Sequence, residues 1–192
     1  MKQKFVTLHD SKKSKLILNN KTKKVHKILK DLYIDRTWFE SYQKFQEGRS
    51  NVVKVFEYIS NKEYTMEYIP HFCDLEQIVK DSQYRNYLTK DFICDCIEIF
   101  NSAFVDGIRF SKNNTMKYFK EKNISDQKYF VHCDLKLSNF LVDENKKITL
   151  IDPDSFVWMN NLEGCEKFYM NQTNLMFCLQ RYFSTMEGRI IV

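Results

Sequence analysis

Between Val131 and Asp154, short apolar runs alternate with acidic and amide residues at set intervals, and no other feature restricts the chain as much. Tyr129-Phe130-Val131 leads into His132-Cys133-Asp134-Leu135-Lys136-Leu137-Ser138-Asn139, and Phe140-Leu141-Val142 follows directly. Ile148-Thr149-Leu150-Ile151 then runs into Asp152-Pro153-Asp154. Runs this short, bounded by turn residues, predict strands rather than helices. Asp134 and Asn139 lie five residues apart, and Asp152 stands eighteen after Asp134. The pattern therefore predicts three oxygen-bearing side chains on loops held by short strands.

Upstream the period alternates between strand and helix. Phe5 to Leu8 and Lys15 to Leu18 are β-prone runs separated by the polar stretch His9–Ser14, which predicts a hairpin, and Val25 to Leu29 predicts a third strand. Trp38, Phe39, Tyr42 and Phe45 recur at helical spacing behind Asp35 or Thr37 as cap, with the helix ending near Gly48. Asn51 to Ile59 and Glu63 to Ile69 predict two more strands meeting at Asn61-Lys62. After Pro70 the spacing is helical: Asp74 caps a short helix through Val79, and Thr89 a longer one to about Val105. The longer helix carries Phe92, Ile93, Cys96, Ile99, Phe100 and Ala103 on one side; residues 110–128 have no clear period, and a final amphipathic helix is expected over 166–183. With 192 residues, 43% of them hydrophobic, the chain suffices for one core or two small lobes sharing a cleft. The expected class is α+β, with a β-rich region 1–68 carrying one helix and a more helical region 69–192.

The H-x-D-L-x-x-x-N segment with an Asp eighteen residues on resembles the catalytic segment of the protein-kinase-like superfamily. The resemblance implies a bilobal fold with a small β-rich N-lobe and a shortened helical C-lobe. It implies a phosphotransferase that uses ATP and magnesium (Mg2+), in which positioning and charge neutralisation do most of the chemistry. By the resemblance Asp134 orients the acceptor hydroxyl and takes its proton, while Asn139 and Asp152 offer the hard oxygen donors that magnesium prefers. Asp154 is either a second acidic ligand or a turn residue. Lys136 balances charge on the transferred phosphate or is simply solvated, and His132 braces the loop.

Further positions follow from the same resemblance. Lys27 matches the strand lysine that grips the α- and β-phosphates, with Lys23, Lys24 and Lys30 as competitors; Glu40 matches its ion-pair partner, with Glu47 as competitor. Met66, Glu67 and Tyr68 match the hinge whose backbone meets the adenine edge, Thr65 or Met66 bordering the back of the pocket. Residues 1–30 contain no glycine, so the His9–Ser14 turn would cover the phosphates through Ser11, Ser14 and backbone amides. In this the chain is similar to kinases of the aminoglycoside-phosphotransferase and choline-kinase type. Cys133 stands where an arginine links the loop to a phosphorylated activation segment, Asp152-Pro153-Asp154 replaces D-F-G, and no A-P-E follows. Forty residues follow Asp152, and the expectation is a compact chain similar to lipopolysaccharide-sugar kinases, with the usual peptide-docking helices mostly absent.

Leu135-Lys136 favours Ser/Thr of a protein as acceptor, which is the expectation. The missing glycine loop, the Asp-Pro-Asp and the short tail favour a small molecule or sugar instead. The lost glycine loop also admits a pseudokinase serving as a nucleotide-binding interaction module. A third class rests on charge: residues 1–30 hold ten lysines against one acid, Asp10, which suits an anionic partner such as nucleotide phosphates, nucleic acid or a membrane surface. The six cysteines have no zinc-ligand spacing, the amino terminus lacks the apolar run of a signal peptide, and no stretch reaches the length of a membrane span. The expected location is the cytoplasm.

Overall fold

The computed structural model describes residues 4–99 and 129–159. The expected helix over 166–183, the end of the helix begun at Thr89 and the segment 110–128 lie outside the described residues. The chain divides into two units, Met1–Pro70 and His71–Val192.

The first unit is an antiparallel sheet of β1 (Phe5–Asp10), β2 (Ser14–Asn19), β3 (Lys24–Leu29), β5 (Glu63–Glu67) and β4 (Val55–Ser60), in that spatial order. Alternation of side chains across the pleat explains its two faces. On β3, Val25, Lys27 and Leu29 are buried, and so are their β5 counterparts Tyr64 and Met66. Helix α1 (Arg36–Gln46) covers this face, with Trp38 5.4 Å from Tyr64 and the Tyr42 hydroxyl donating to the Val53 carbonyl at 2.9 Å. Its cap is Asp35, whose carboxylate accepts from the Trp38 amide at 2.6 Å; Thr37 lies inside the helix. Gly48 follows the end at φ 71°, and the space around it is open, so its role is backbone freedom rather than close approach. Strand β4 is shorter than the run Asn51 to Ile59 predicts, because Val52 and Val53 are buried before the strand begins.

The second unit opens with β6 (Cys73–Asp74) and helix α2 (Leu75–Lys80), and the same Asp74 ends the strand and caps the helix. The Gln77 amide donates to Asp74 at 2.8 Å while the Gln77 side chain accepts from the Asp74 amide, a reciprocal box that satisfies two donors at the helix start. A 3₁₀ turn at Ser82–Tyr87 follows. Residues 90–99 are helical, with Thr89 accepting from the Phe92 amide; Phe92, Ile93 and Cys96 are buried as expected, Ile99 is half-buried, and Ile97 is buried beside them. Cys94 is exposed and Cys96 buried, and all four described cysteines are thiols. Strand β8 (Phe140–Val142) pairs with β6 on one side and β9 (Ile148–Leu150) on the other. Strand β7 (Tyr129–His132) pairs antiparallel with β10 (Phe156–Met159), a strand beyond those expected. No helix among the described residues is long and apolar enough to cross a membrane.

Burial outweighs capping in α1. Asp35→Ala is expected to cost about 1 kcal/mol, and Phe45→Ala, at a fully buried ring, about 3–5 kcal/mol. Urea unfolding midpoints of the two variants measure both, and equal losses would contradict this ranking.

Candidate active site

Two irregular segments of the second unit carry the expected catalytic residues, and hydrogen bonds stitch them together. One runs from His132 to Asn139, between β7 and β8, and the other from Ile151 to Ser155, between β9 and β10. The Ile151 amide donates to the Asn139 carbonyl at 2.9 Å, and the Cys133 amide to the Ser155 carbonyl at 2.9 Å. The registers Phe140↔Leu150 and Phe156↔His132 anchor the strands on either side.

His132 sits at the junction. Its Nδ1 accepts the Asp134 amide at 3.2 Å, and its Nε2 lies 3.3 Å from the Ile151 carbonyl. An amide only donates and a carbonyl only accepts, so both bonds form together only in the neutral tautomer protonated at Nε2. The ring is buried edge-on against Phe156, with centroids 4.9 Å apart. Burial pushes the imidazole down to about 4, against the opposing pull of the Ile151 carbonyl and of Asp152, Asp134 and Asp154. The charges of three carboxylates thus act on one neutral ring without protonating it.

Asp134 is half-buried, and its Oδ2 receives both the Lys136 ammonium at 2.7 Å and the Asn139 amide nitrogen at 3.3 Å. The same Asn139 nitrogen donates to the Asp134 carbonyl at 2.7 Å. These bonds fix the buried amide's orientation and turn its oxygen, a hard donor, away from Asp134. Asp152 has φ 63° and ψ 56°, a left-handed conformation that is uncommon for any residue but glycine, and its carbonyl accepts the Ser155 amide. Asp154 is buried in the 3₁₀ turn Pro153–Ser155. Among the described residues no three His, Cys, Asp or Glu side chains form a metal cage. An amide oxygen with one or two carboxylates instead fits magnesium, which keeps waters and takes further oxygens from substrate phosphates.

A neighbour escapes the linear motif. Glu76 of α2 is held below the ordinary carboxylate range by Lys80, with burial opposing and smaller contributions from Ser138 and Lys136. It stands sixty residues before Lys136, and only the fold brings it near the loop.

The first unit holds the remaining expected residues. Lys27 is the buried lysine on β3, 3% exposed between Leu16 and Tyr64, whereas Lys23, Lys24 and Lys30 are exposed. Burial singles it out from its competitors. Glu40 is exposed on α1 with Arg36 at 3.4 Å, and Glu47 is the exposed cap residue beyond the helix end. Met66 is buried; the Glu67 amide donates to the Lys54 carbonyl at 2.7 Å and the Tyr68 amide to the Lys23 carbonyl at 3.3 Å. Ser11 is occupied within its own turn: its hydroxyl accepts from the Lys13 and Ser14 amides and faces the Ser14 carbonyl, each at 3.2 Å.

Neither a family model nor a curated protein matches the chain. Among solved structures it is similar to the streptomycin–ATP–APH(2'')-IIa ternary complex, at 16% identity and a TM-score of 0.51, over 82% of this chain and 68% of that one. It is also matched to an ethanolamine kinase of Plasmodium vivax, at 12% identity and a TM-score of 0.45, over 81% of this chain and 56% of that one.

The depressed His132 value gives stability a signed pH dependence. Between its unfolded value of about 6.5 and its folded value of about 4, only the unfolded chain takes the proton. Stability is therefore full above pH 6.5 and falls as pH drops toward 4, by roughly 3 kcal/mol in all. Urea unfolding at pH 7 and pH 4.5 measures the loss, which should be smaller in His132→Asn; an equal loss in both would mean other groups govern it.

Proposed function

We propose that this chain, which has a protein-kinase-like fold, transfers the γ-phosphate of ATP to a hydroxyl of a small molecule with the help of magnesium. The observation that carries the proposal is the arrangement around Asp134. Lys136 and Asn139 both engage its Oδ2, on a loop tied through His132 to the segment bearing Asp152. Oδ1 is the oxygen those bonds leave for the acceptor's proton.

Each residue then has one task. Asp134 orients the acceptor hydroxyl and takes its proton at Oδ1 as the oxygen attacks. Lys136 offsets the negative charge gathering beside that carboxylate. Asn139 and Asp152, with Asp154 behind them, would hold magnesium, which when bound neutralises the phosphates and aligns them for in-line attack. Within the first unit, Lys27 would grip the α- and β-phosphates with Glu40 as its partner, and the Met66-Glu67-Tyr68 segment would border the adenine.

The acceptor moves from the protein side chain that Leu135-Lys136 suggests to a small molecule. The solved complex whose fold this chain resembles holds streptomycin together with ATP. Cys133 also stands where a kinase switched by a phosphorylated segment carries arginine.

Purified protein with labelled ATP and magnesium should phosphorylate a member of a panel of hydroxylated small molecules, aminoglycosides included, in preference to a generic protein. Asp134→Asn should lower turnover by about 10²–10⁴-fold while retaining magnesium–ATP binding, and Asp152→Asn should lose the magnesium dependence of that binding. Transfer that persists in Asp134→Asn would remove the assigned base. Nucleotide binding without turnover on any acceptor would make the chain a binding module.

A further inference from the structure

The β1–β2 turn contains no glycine, yet it is closed on all sides by its own residues and by one lysine from β3's end. Lys30 Nζ lies 2.6 Å from Asp10 Oδ1 and 2.5 Å from the Ser11 carbonyl, while its backbone amide donates to the Lys13 carbonyl at 2.8 Å. One residue therefore engages both limbs of the turn, by side chain on the β1 limb and by backbone on the β2 limb. Lys15 approaches Asp10 from within the hairpin at 3.6 Å. The Asp10 carboxyl is held below its ordinary value by the Lys30 hydrogen bond, with burial opposing and the charges of Lys30 and Lys15 adding to it. Inside the turn, the Ser11 hydroxyl takes the Lys13 and Ser14 amides, and the Ser11 amide reaches the Ser14 carbonyl.

A glycine-rich loop covers phosphates because its backbone folds close to them and offers amides. Here the amides of Ser11, Lys13 and Ser14 are spent inside the turn, so those three do not serve as free donors. What remains is shape. A single surface ion pair contributes little, but a lysine sharing two acceptors while its own amide holds a third group restricts the turn as a network.

We infer that Lys30 is a positioning residue for nucleotide binding: it clamps the β1–β2 turn, through Asp10 and the Ser11 carbonyl, into the one shape that covers the phosphates. The inference rests on the function proposed above. The clamp replaces the missing glycines by rigidity rather than by donors, and Lys30 itself does not contact the nucleotide.

The test uses the full chain and three variants, Lys30→Met, Lys30→Arg and Asp10→Asn, in which exposed side chains change and the fold persists. Amide exchange of Ser11, Lys13 and Ser14 should accelerate about fivefold in Lys30→Met, and magnesium–ATP affinity and the KM for ATP should weaken by about the same factor, with kcat unchanged. Lys30→Arg should restore both readouts, and Asp10→Asn should reproduce the loss in part. Unchanged exchange in Lys30→Met overturns the clamp. Faster exchange with unchanged affinity overturns its link to the nucleotide. Tighter binding in Asp10→Asn would show Lys30 meeting the phosphates directly, and also overturns it. In each of these cases wild-type binding and transfer leave the proposed function standing, whereas a wild-type chain that binds no magnesium–ATP removes both.

Discussion

A single neutral imidazole carries the register between the two loops of the second unit. His132 reads the Asp134 amide with one nitrogen and the Ile151 carbonyl with the other, so a shift of either loop breaks a buried bond. The strands around it cannot supply that precision alone, since β8 and β9 have three residues each and β7 and β10 four. Strands so short are marginal by themselves. Asp152, Asp134 and Asp154 would each favour a charged ring, yet burial prevails. Protonation would set an Nδ1 hydrogen against the Asp134 amide, and the bond that aims Asp134 would be lost. The protein accepts the desolvation and keeps the ring neutral, so the imidazole adds no positive charge beside these carboxylates.

Asp152 adds a backbone cost to that electrostatic one. A non-glycine residue in the left-handed region costs on the order of 1–3 kcal/mol and persists only where its surroundings over-determine it. Here they do: Ile151 is bonded on one side to Asn139, the Asp152 carbonyl takes the Ser155 amide, and the Ser155 carbonyl takes the Cys133 amide. The strain and the stitching belong to the same two segments. A backbone held in this way needs no rearrangement of its own, and preorganisation of that kind is what the proposed phosphoryl transfer would draw on.

Much of this was legible from residue pattern alone, and the exceptions share physical causes. Asp35, Asp74 and Thr89 mark helix starts because each combines a short acceptor side chain with an apolar periodic run, and all three accept the expected amide. Strand β10 was legible and overlooked: Phe156-Val157-Trp158-Met159 is a β-prone run bounded by turn residues, and what the pattern does not give is its pairing with β7, more than twenty residues away. The two-residue β6 is a strand only through its pairing with β8. At Asp152 the local rule points the wrong way: a residue before proline is pushed toward extended backbone, yet the loop holds it left-handed. Ser11 looked like a donor for phosphate, but a serine two and three residues before unpaired amides serves them first. Glu76 had no signal at all, because its approach to Lys136 exists only in the packed unit.

Two lysines three residues apart show how burial alone divides tasks along β3. Lys27 faces the covered side of the sheet between Leu16 and Tyr64, while Lys30 stands beyond the strand end in solvent. An ammonium removed from water costs several kcal/mol unless anions compensate it, and in return its field is barely screened. The role proposed for Lys27 toward a nucleotide's phosphates would draw on that field. A fixed, poorly screened positive charge is what a polyphosphate rewards. Lys30 is screened, and its charge matters only at contact distance, where it closes a turn instead of attracting a ligand. The strand thus sets one lysine on its buried face and another beyond its end, where Lys30 reaches Asp10 and the Ser11 carbonyl. Exchanging their environments would undo that division while leaving the sequence's charge unchanged.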